Sequence, residues 1–306
     1  LLVIGLAGLT TYLWDQTRSA PATPPPGKSI AVLPFDSLSD DQQNAYFAGG
    51  MQEEILTHLA KIADLKVISR SSVLQYQSRP ARDLRESSQQ LGVAHVLEGS
   101  VQRAAGKVRV QAQLVDTRSG ADVWAQTYDR DIADIFAIQS DIALHIAGQL
   151  QVALSPKTRA EIQERPTRDL PAYNLYVRAK LHVENPVIGG QRWKEAAKLL
   201  DQALARDPGF FLAQCLSAET HSELYWGFDH TPAQRHLALN AVNIALRQRP
   251  EAGEAHLARA TYLCRCDLDY EGARAEVAIA QRTLPNNPQL FFLMASIDRR
   301  QGRWSE

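Results

Sequence analysis

The amino-terminal half of the chain alternates between short apolar runs and amphipathic stretches, a pattern that predicts strands covered by helices. The first run, residues 29–34, ends at a proline, as a buried strand does. Over residues 43–61 apolar side chains recur every three or four positions, which predicts a helix that leaves Gln52, Glu53 and His58 on or beside its polar face. The apolar face of such a helix is expected to pack on the predicted sheet.

Further strands and helices follow before residue 155. Residues 107–114 alternate strictly between polar and apolar side chains, which predicts a strand with one buried face. Turns separate it from strands expected on either side, so the three form a meander. The predicted elements are strands 65–69, 94–103, 107–114 and 122–128 and helices 83–91 and 135–150. Residues 28–154 thus predict one α/β domain with a mixed sheet and helices on one face.

Strand patterns disappear after residues 155–171, a charged and proline-containing segment that we interpret as a linker. Three helices are expected beyond it, each followed closely by a proline: residues 193–206, 232–247 and 270–283. Alanines stand five and twelve positions before each of these prolines: Ala203 and Ala196, Ala245 and Ala238, Ala280 and Ala273. Small residues on one helical face let a neighbouring helix approach closely, and proline ends each pair.

This spacing is typical of tetratricopeptide repeats, whose period is about 34 residues. The unit from Glu254 to Pro285 fits best, with Tyr270 at the usual aromatic position, which Trp193 and Trp304 hold in other units. Residues 172–306 therefore predict an all-α, α-solenoid repeat domain that is incomplete at the carboxyl terminus.

The chain starts with an apolar segment, residues 1–14, followed by a proline-rich linker, residues 15–27. Because a membrane helix needs about 20 apolar residues, the segment is expected to be the end of a truncated transmembrane helix. The alternative is the apolar core of a secretory signal, because residues 20–22 have small-x-small spacing. Either interpretation puts residues 15–306 outside the cytoplasm, in the periplasm for a single-pass inner-membrane protein.

Composition and motif content argue against several classes of function. The 33 basic and 34 acidic side chains give a net charge of −1, which argues against a nucleic-acid-binding protein. Three cysteines are too few for a disulfide framework, and the eight histidines show no metal-ligand spacing. No phosphate-binding loop, kinase catalytic loop or nucleophile elbow occurs, and Gly49 and Gly50 are best explained by close helix packing. We therefore expect no catalytic residue, cofactor or metal.

Five segments resemble the TolB-amino-terminal-like domain: residues 29–35 (SIAVLPF), 47–51 (FAGGM), 67–70 (VISR), 96–101 (VLEGSV) and 123–130 (VWAQTYDR). The resemblance, with the repeats, covers residues 28–306. It implies a bacterial protein in which this domain lies between a membrane helix and tetratricopeptide repeats. In such proteins a serine/threonine kinase, a CadC-type winged-helix regulator or an adenylate cyclase commonly precedes the membrane helix.

Repeat grooves bind peptides, so we expect partners to dock on the inward face of the helix pairs. The repeat register puts Arg259, Tyr262 and Arg265 on that face in the third unit and Arg299 in the fourth. Guanidinium groups pair with carboxylates, which favours an acidic peptide or protein. The alternative is an ordinary solvated helix face.

The sequence thus supports a non-catalytic sensor that binds a protein or peptide through its repeats and the membrane through its amino-terminal helix. The alternative is a regulatory region that binds a small ligand at the seam around the linker, because crevices between domains are common pockets. In both hypotheses any enzyme activity belongs to a part of the full-length protein outside this chain. The oligomeric state is not predicted.

Overall fold

The structure is a computed structural model that describes residues 27–38, 42–74, 90–184 and 189–303. In these ranges a mixed sheet with its helices is followed by a series of helices, which confirms the predicted order. The expected membrane segment, nearly all of its linker, most of the predicted helix 83–91 and Trp304 lie outside the described residues. None of the helices in the described ranges combines the length and apolar character needed to cross a membrane.

The sheet joins parallel strands at one end to an antiparallel meander at the other. Its order is β3-β1-β4-β5-β6, with β1 parallel to both neighbours and β4, β5 and β6 antiparallel, so the predicted meander is confirmed. The short β2 also pairs with β4. The strands are β1 Ser29–Val32, β2 Asp36–Ser37, β3 Lys66–Val67, β4 His95–Ala104, β5 Lys107–Asp116 and β6 Asp122–Asp131.

Among the described residues, the sheet region contains the helices α1 Gln42–Ala60, α2 Arg70–Val73 and α3 Ile135–Gln149. Helices α1 and α3 cover one face, where Ile55 and Ile142 are fully buried in the main core. Because side chains alternate along a strand, Ala31 and Leu33 point to the opposite face. A second, smaller cluster that includes Val73 of α2 covers them there, so the sheet is partly covered on both sides.

The helices that follow pack against their neighbours along the chain, as the repeat pattern predicts. They are α4 Pro156–Gln163, α5 Leu170–Val183, α6 Gly190–Arg206, α7 Phe211–Gly227, α8 Pro232–Gln248, α9 Gly253–Tyr262, α10 Tyr270–Ala280 and α11 Pro288–Gln301. A π-helical segment, Leu263–Asp267, extends α9. The six alanines that the spacing singles out, on α6, α8 and α10, are all fully buried, which agrees with close helix packing.

The segment interpreted as a linker contains a helix of its own. Ile162 of α4 is fully buried, and the Ser140 hydroxyl of α3 donates to its carbonyl oxygen at 2.6 Å. One cluster of buried apolar side chains runs from Ile30 in the sheet region to Leu216 in α7. The sheet region and the first helix pairs therefore share a core.

Candidate functional site

The sheet region and the helix pairs meet where α1 crosses α5, and two glycines permit this contact. A Cβ atom on Gly50 would lie 2.3 Å from Cγ1 of Val177, and one on Gly49 would lie 3.3 Å from Cδ1 of Leu181. Any side chain at position 50 would therefore push the helices apart. This confirms the interpretation of the glycine pair as a packing feature.

A cavity of about 320 Å³ opens at this seam. Its walls come from α1, the end of β4, α3 and α5, so both regions contribute. Met51 and Val177 supply apolar surface, while Gln139 Nε2 donates a hydrogen bond of 2.8 Å to the Tyr173 hydroxyl. Apolar walls with a few polar groups are the usual composition of a small-molecule site.

Two arginines line the same cavity. The guanidinium of Arg103, at the end of β4, lies 5.6 Å from the ring centroid of Phe47. That of Arg178, on α5, lies 5.6 Å from the ring centroid of Tyr46. In the part of the chain that the structure describes, neither guanidinium forms an ion pair with a carboxylate. The cavity is therefore cationic at two points.

A buried ionic cluster joins α1 to α5 beside the cavity. Lys180 Nζ lies 3.1 Å from Glu53 Oε1 and 3.7 Å from Glu54 Oε1. It also donates to Thr57 Oγ1 at 2.8 Å. Burial raises the pKa of Glu54, and Lys180 only partly offsets this. Because unpaired buried charges are costly, the cluster fixes how α1 lies on α5.

The cluster continues to the first strand through Arg70. Its Nε donates to Gln52 Oε1 at 3.2 Å, and Gln52 Nε2 donates to the carbonyl oxygen of Val32 at 2.9 Å. One Arg70 amino group lies 4.0 Å from Glu184 Oε2 at the end of α5. Burial and the nearby charge of Glu53 raise the pKa of Glu184 well above its ordinary value. The seam thus links α5 to the sheet through polar contacts.

Later helices also reach α1. Lys61, just after α1, lies 3.3 Å from Glu254 of α9. The Asn286 side-chain amide donates to the Ile62 carbonyl at 2.6 Å, and its backbone N–H donates to the Ala60 carbonyl at 3.2 Å. Burial raises the pKa of Glu219, on α7, to about 7. The start of α9 and the turn before α11 therefore contact the end of α1.

The four residues predicted to line the repeat groove differ in their surroundings. Arg265 is only 5% exposed, and its Nε donates to Glu223 Oε1 of α7 at 2.7 Å. Arg259 Nε lies 3.1 Å from Glu276 Oε1 of α10. Tyr262 is buried, and Arg299 is exposed on α11. The chain's own carboxylates thus neutralise two of the three arginines.

The sequence suggested a ligand site at the seam around the linker but not the residues of the observed seam, because Gln52, Glu53 and His58 were expected on or beside the polar face of α1. In the structure all three are buried. Burial lowers the pKa of His58 to about 3, with a smaller contribution from Lys61, so His58 stays neutral at pH 7. No linear motif marks the cavity, because its walls come from separate elements.

Metal binding has no support in the described ranges, since no group of three or more His, Cys, Asp or Glu side chains there could hold a metal ion.

Comparison with known proteins gives two sequence matches. Residues 26–142 match the family described as HilA/YgeH-like transcriptional regulator, second domain. Over 206 residues the chain is 39% identical to putative adenylate cyclase 3 of Rhizobium meliloti (strain 1021), covering 65% of this chain and 35% of that protein. The chain thus spans about a third of this relative. The matched family and the relative are named as a transcriptional regulator and a putative adenylate cyclase, so both names denote signalling or regulatory proteins.

Solved structures show weaker similarity. TolB from Acinetobacter baumannii aligns with a TM-score of 0.31 and 18% identity, over 42% of this chain and 30% of that one. Lipoprotein GNA1162 from Neisseria meningitidis aligns with a TM-score of 0.31 and 20% identity, over 42% of this chain and 99% of that one. Both alignments cover less than half of the present chain.

Proposed function

We propose that this chain is the non-catalytic sensor part of a signalling protein and that a small molecule binds in the seam cavity. The observation that supports this most strongly is that both the sheet region and helix α5 line the cavity. A ligand there touches both regions at once, so its binding changes the free energy of their association. Such a change is a signal that an attached effector can use.

The effector and the membrane attachment are part of the same proposal. The relative's name favours an adenylate cyclase, and the resemblance to TolB-amino-terminal-like proteins adds a kinase or a winged-helix regulator. Residues 1–14 would anchor the chain, with residues 15–306 in the periplasm. Alkaline phosphatase fused after residue 306 of the full-length protein tests this: an active fusion supports it, and an inactive but expressed fusion contradicts it.

We interpret the helix pairs in residues 172–306 as tetratricopeptide repeats and residues 28–154 as a TolB-amino-terminal-like domain. Buried alanines at matching positions of α6, α8 and α10 support the first assignment. The mixed sheet with its antiparallel meander agrees with the α/β class expected for the second. The shared core implies that the two act as one unit.

Thermal shift measurements against a panel of metabolites test the sensor function. Asn174 lines the cavity on α5 and is partly exposed, so Asn174→Trp fills the cavity with little risk to folding. Asn243→Trp, on the exposed side of α8, is the matched control. We expect a stabilising metabolite whose effect is lost in Asn174→Trp and kept in Asn243→Trp. No stabilising compound, or equal stabilisation of both variants, contradicts the proposal.

A second candidate function is protein or peptide binding by the helix pairs. Phe291 and Phe292 on α11 are 56% and 63% exposed, and Arg299 lies exposed on the same helix. Adjacent exposed aromatic rings with a cation are common at protein interfaces. In this function Arg259 and Arg265 would bind acidic side chains only after releasing Glu276 and Glu223.

Affinity capture tests this candidate by comparing the proteins that bind the native chain with those that bind the double variant Phe291→Ser/Phe292→Ser. We expect one partner to be lost in that variant and retained by a Leu237→Ser/Leu239→Ser control, which alters exposed leucines of α8. If every captured protein binds both variants equally, α11 is not the docking surface.

A further inference from the structure

The two arginines of the cavity have aromatic rings as partners, whereas several arginines of the helical region pair with carboxylates. Arg103 and Arg178 stack on the rings of Phe47 and Tyr46, and the described part of the chain gives neither a carboxylate partner. Ion pairs neutralise other arginines: Arg206 with Asp169, Arg235 with Asp267, Arg249 with Glu164 and Arg274 with Asp298. A guanidinium above an aromatic ring keeps its N–H edge available for an oxyanion.

The remaining lining of the cavity adds polar donors and an apolar wall. The Tyr173 hydroxyl accepts a hydrogen bond from Gln139 and so keeps its own O–H as a donor. Burial raises the pKa of Tyr173 well above its ordinary value, so this group stays protonated. Met51 and Val177 offer apolar surface in the same space. The cavity thus combines positive charge, a neutral donor and an apolar wall.

We propose that the seam cavity binds a small organic anion. Arg103 and Arg178 hold its carboxylate or phosphate group, and its apolar body lies against Met51 and Val177. The volume of about 320 Å³ is at the small end of the usual range of roughly 300–1,000 Å³, which suits a metabolite. This inference rests on the proposed sensor function, because it names the ligand class of the same cavity.

Calorimetric titration of the whole chain tests the ligand class. Phenylacetate and phenyl phosphate are the anionic probes, phenylacetamide is the neutral counterpart, and inorganic phosphate lacks the apolar body. Arg103→Gln and Arg178→Gln remove the two charges. Arg118→Gln and Arg247→Gln remove exposed arginines that do not line the cavity. Unfolding temperatures of all four variants verify their folding, and Arg103→Lys and Arg178→Lys retain the charge without the planar fork.

We expect at least one aromatic anion to bind, with an affinity that falls about tenfold or more in each cavity variant and stays unchanged in both controls. Stronger binding of phenylacetate identifies a carboxylate ligand, and stronger binding of phenyl phosphate identifies a phosphate monoester. Three results overturn the inference: equal affinity for phenylacetamide, unchanged affinity in both cavity variants, or no binding by either anion at about 10 mM.

Failure of this inference is distinguishable from failure of the sensor function. If the metabolite panel yields a neutral or cationic compound whose effect Asn174→Trp abolishes, the sensor function holds and the anionic class is wrong. If no compound of any charge stabilises the chain, both proposals fail.

Discussion

Gly50 and Val177 are in such close contact that a Cβ atom on Gly50 would lie 2.3 Å from Val177 Cγ1. Backbone and side chain thus meet directly where α1 crosses α5. The proposed small-molecule site depends on this approach, because it sets the shape of the seam and of the cavity beside it.

Gly50→Ala therefore should lower the free energy of unfolding by about 2 kcal/mol, as overpacking does. Gly49→Ala should lower the free energy of unfolding by less, because the atom nearest to its Cβ position is at the flexible end of the Leu181 side chain. Gly148→Ala is the control, since nothing lies within 4 Å of its Cβ position and alanine favours the helix. Urea denaturation measures all three, and equal stability of Gly50→Ala and the native chain would refute close packing at the seam.

Lys180→Met leaves Glu53 and Glu54 buried beside each other without their cation. We expect a loss of about 3 kcal/mol in unfolding free energy, because breaking a buried pair strands a charge. Adding Glu53→Gln should recover part of that loss. Lys157→Met, which removes an exposed pair with Glu161, should cost under about 0.5 kcal/mol. Similar small losses for both lysines would show that the seam cluster is solvated.

The pH dependence of stability tests the environment of Glu219. Its pKa rises from 4.5 to about 7 because the carboxyl is buried, so the folded chain binds this proton more tightly than the unfolded chain. Stability from this group is present at low pH and is lost as pH rises through about 7. Between about pH 5 and pH 8 the unfolding free energy of the native chain should fall by on the order of 2 kcal/mol relative to that of Glu219→Gln. Urea denaturation at each pH measures this difference. If the unfolding free energies of the native chain and Glu219→Gln change with pH in the same way, the prediction is wrong.

Arg265 and Arg299 should behave differently, although both were predicted as groove residues. Arg265 is buried, pairs with Glu223 and lies 4.6 Å from the Trp226 ring centroid. Arg265→Leu should lower unfolding free energy by about 3 kcal/mol, and Arg299→Leu by less than about 0.5 kcal/mol. Thermal or urea unfolding compares them. Equal effects would show that Arg265 is not fixed by its ion pair.

The sequence pattern predicted those strands and helices whose buried face is set by the spacing of apolar residues within the element itself. The alternation in β5 and the apolar stripe of α1 each follow from one sheet face or one helix stripe being covered. Glu53 is buried beside Lys180, more than 100 residues away, and Gln52 is buried against Val32 and Arg70 of other elements, contacts that no local period records.

The segment 155–171 shows a missed local signal. Charge and proline suggested a linker, yet the Ser155 hydroxyl accepts from the Thr158 N–H and Pro156 is the first residue of α4. A serine followed by proline is a common helix start. The cavity offered no such signal, because Arg103, Gln139 and Arg178 come together only in the folded chain.

The hydrogen bond from Asn286 to Ile62 spans 224 positions of the chain. We expect this contact to form late in folding, because bringing such distant positions together costs chain entropy. Loss of α11 and its preceding turn would therefore loosen the end of α1, far away in sequence. The main core extends from the sheet to α7, so fragments cut near residue 165 would expose the apolar surface that their halves normally share.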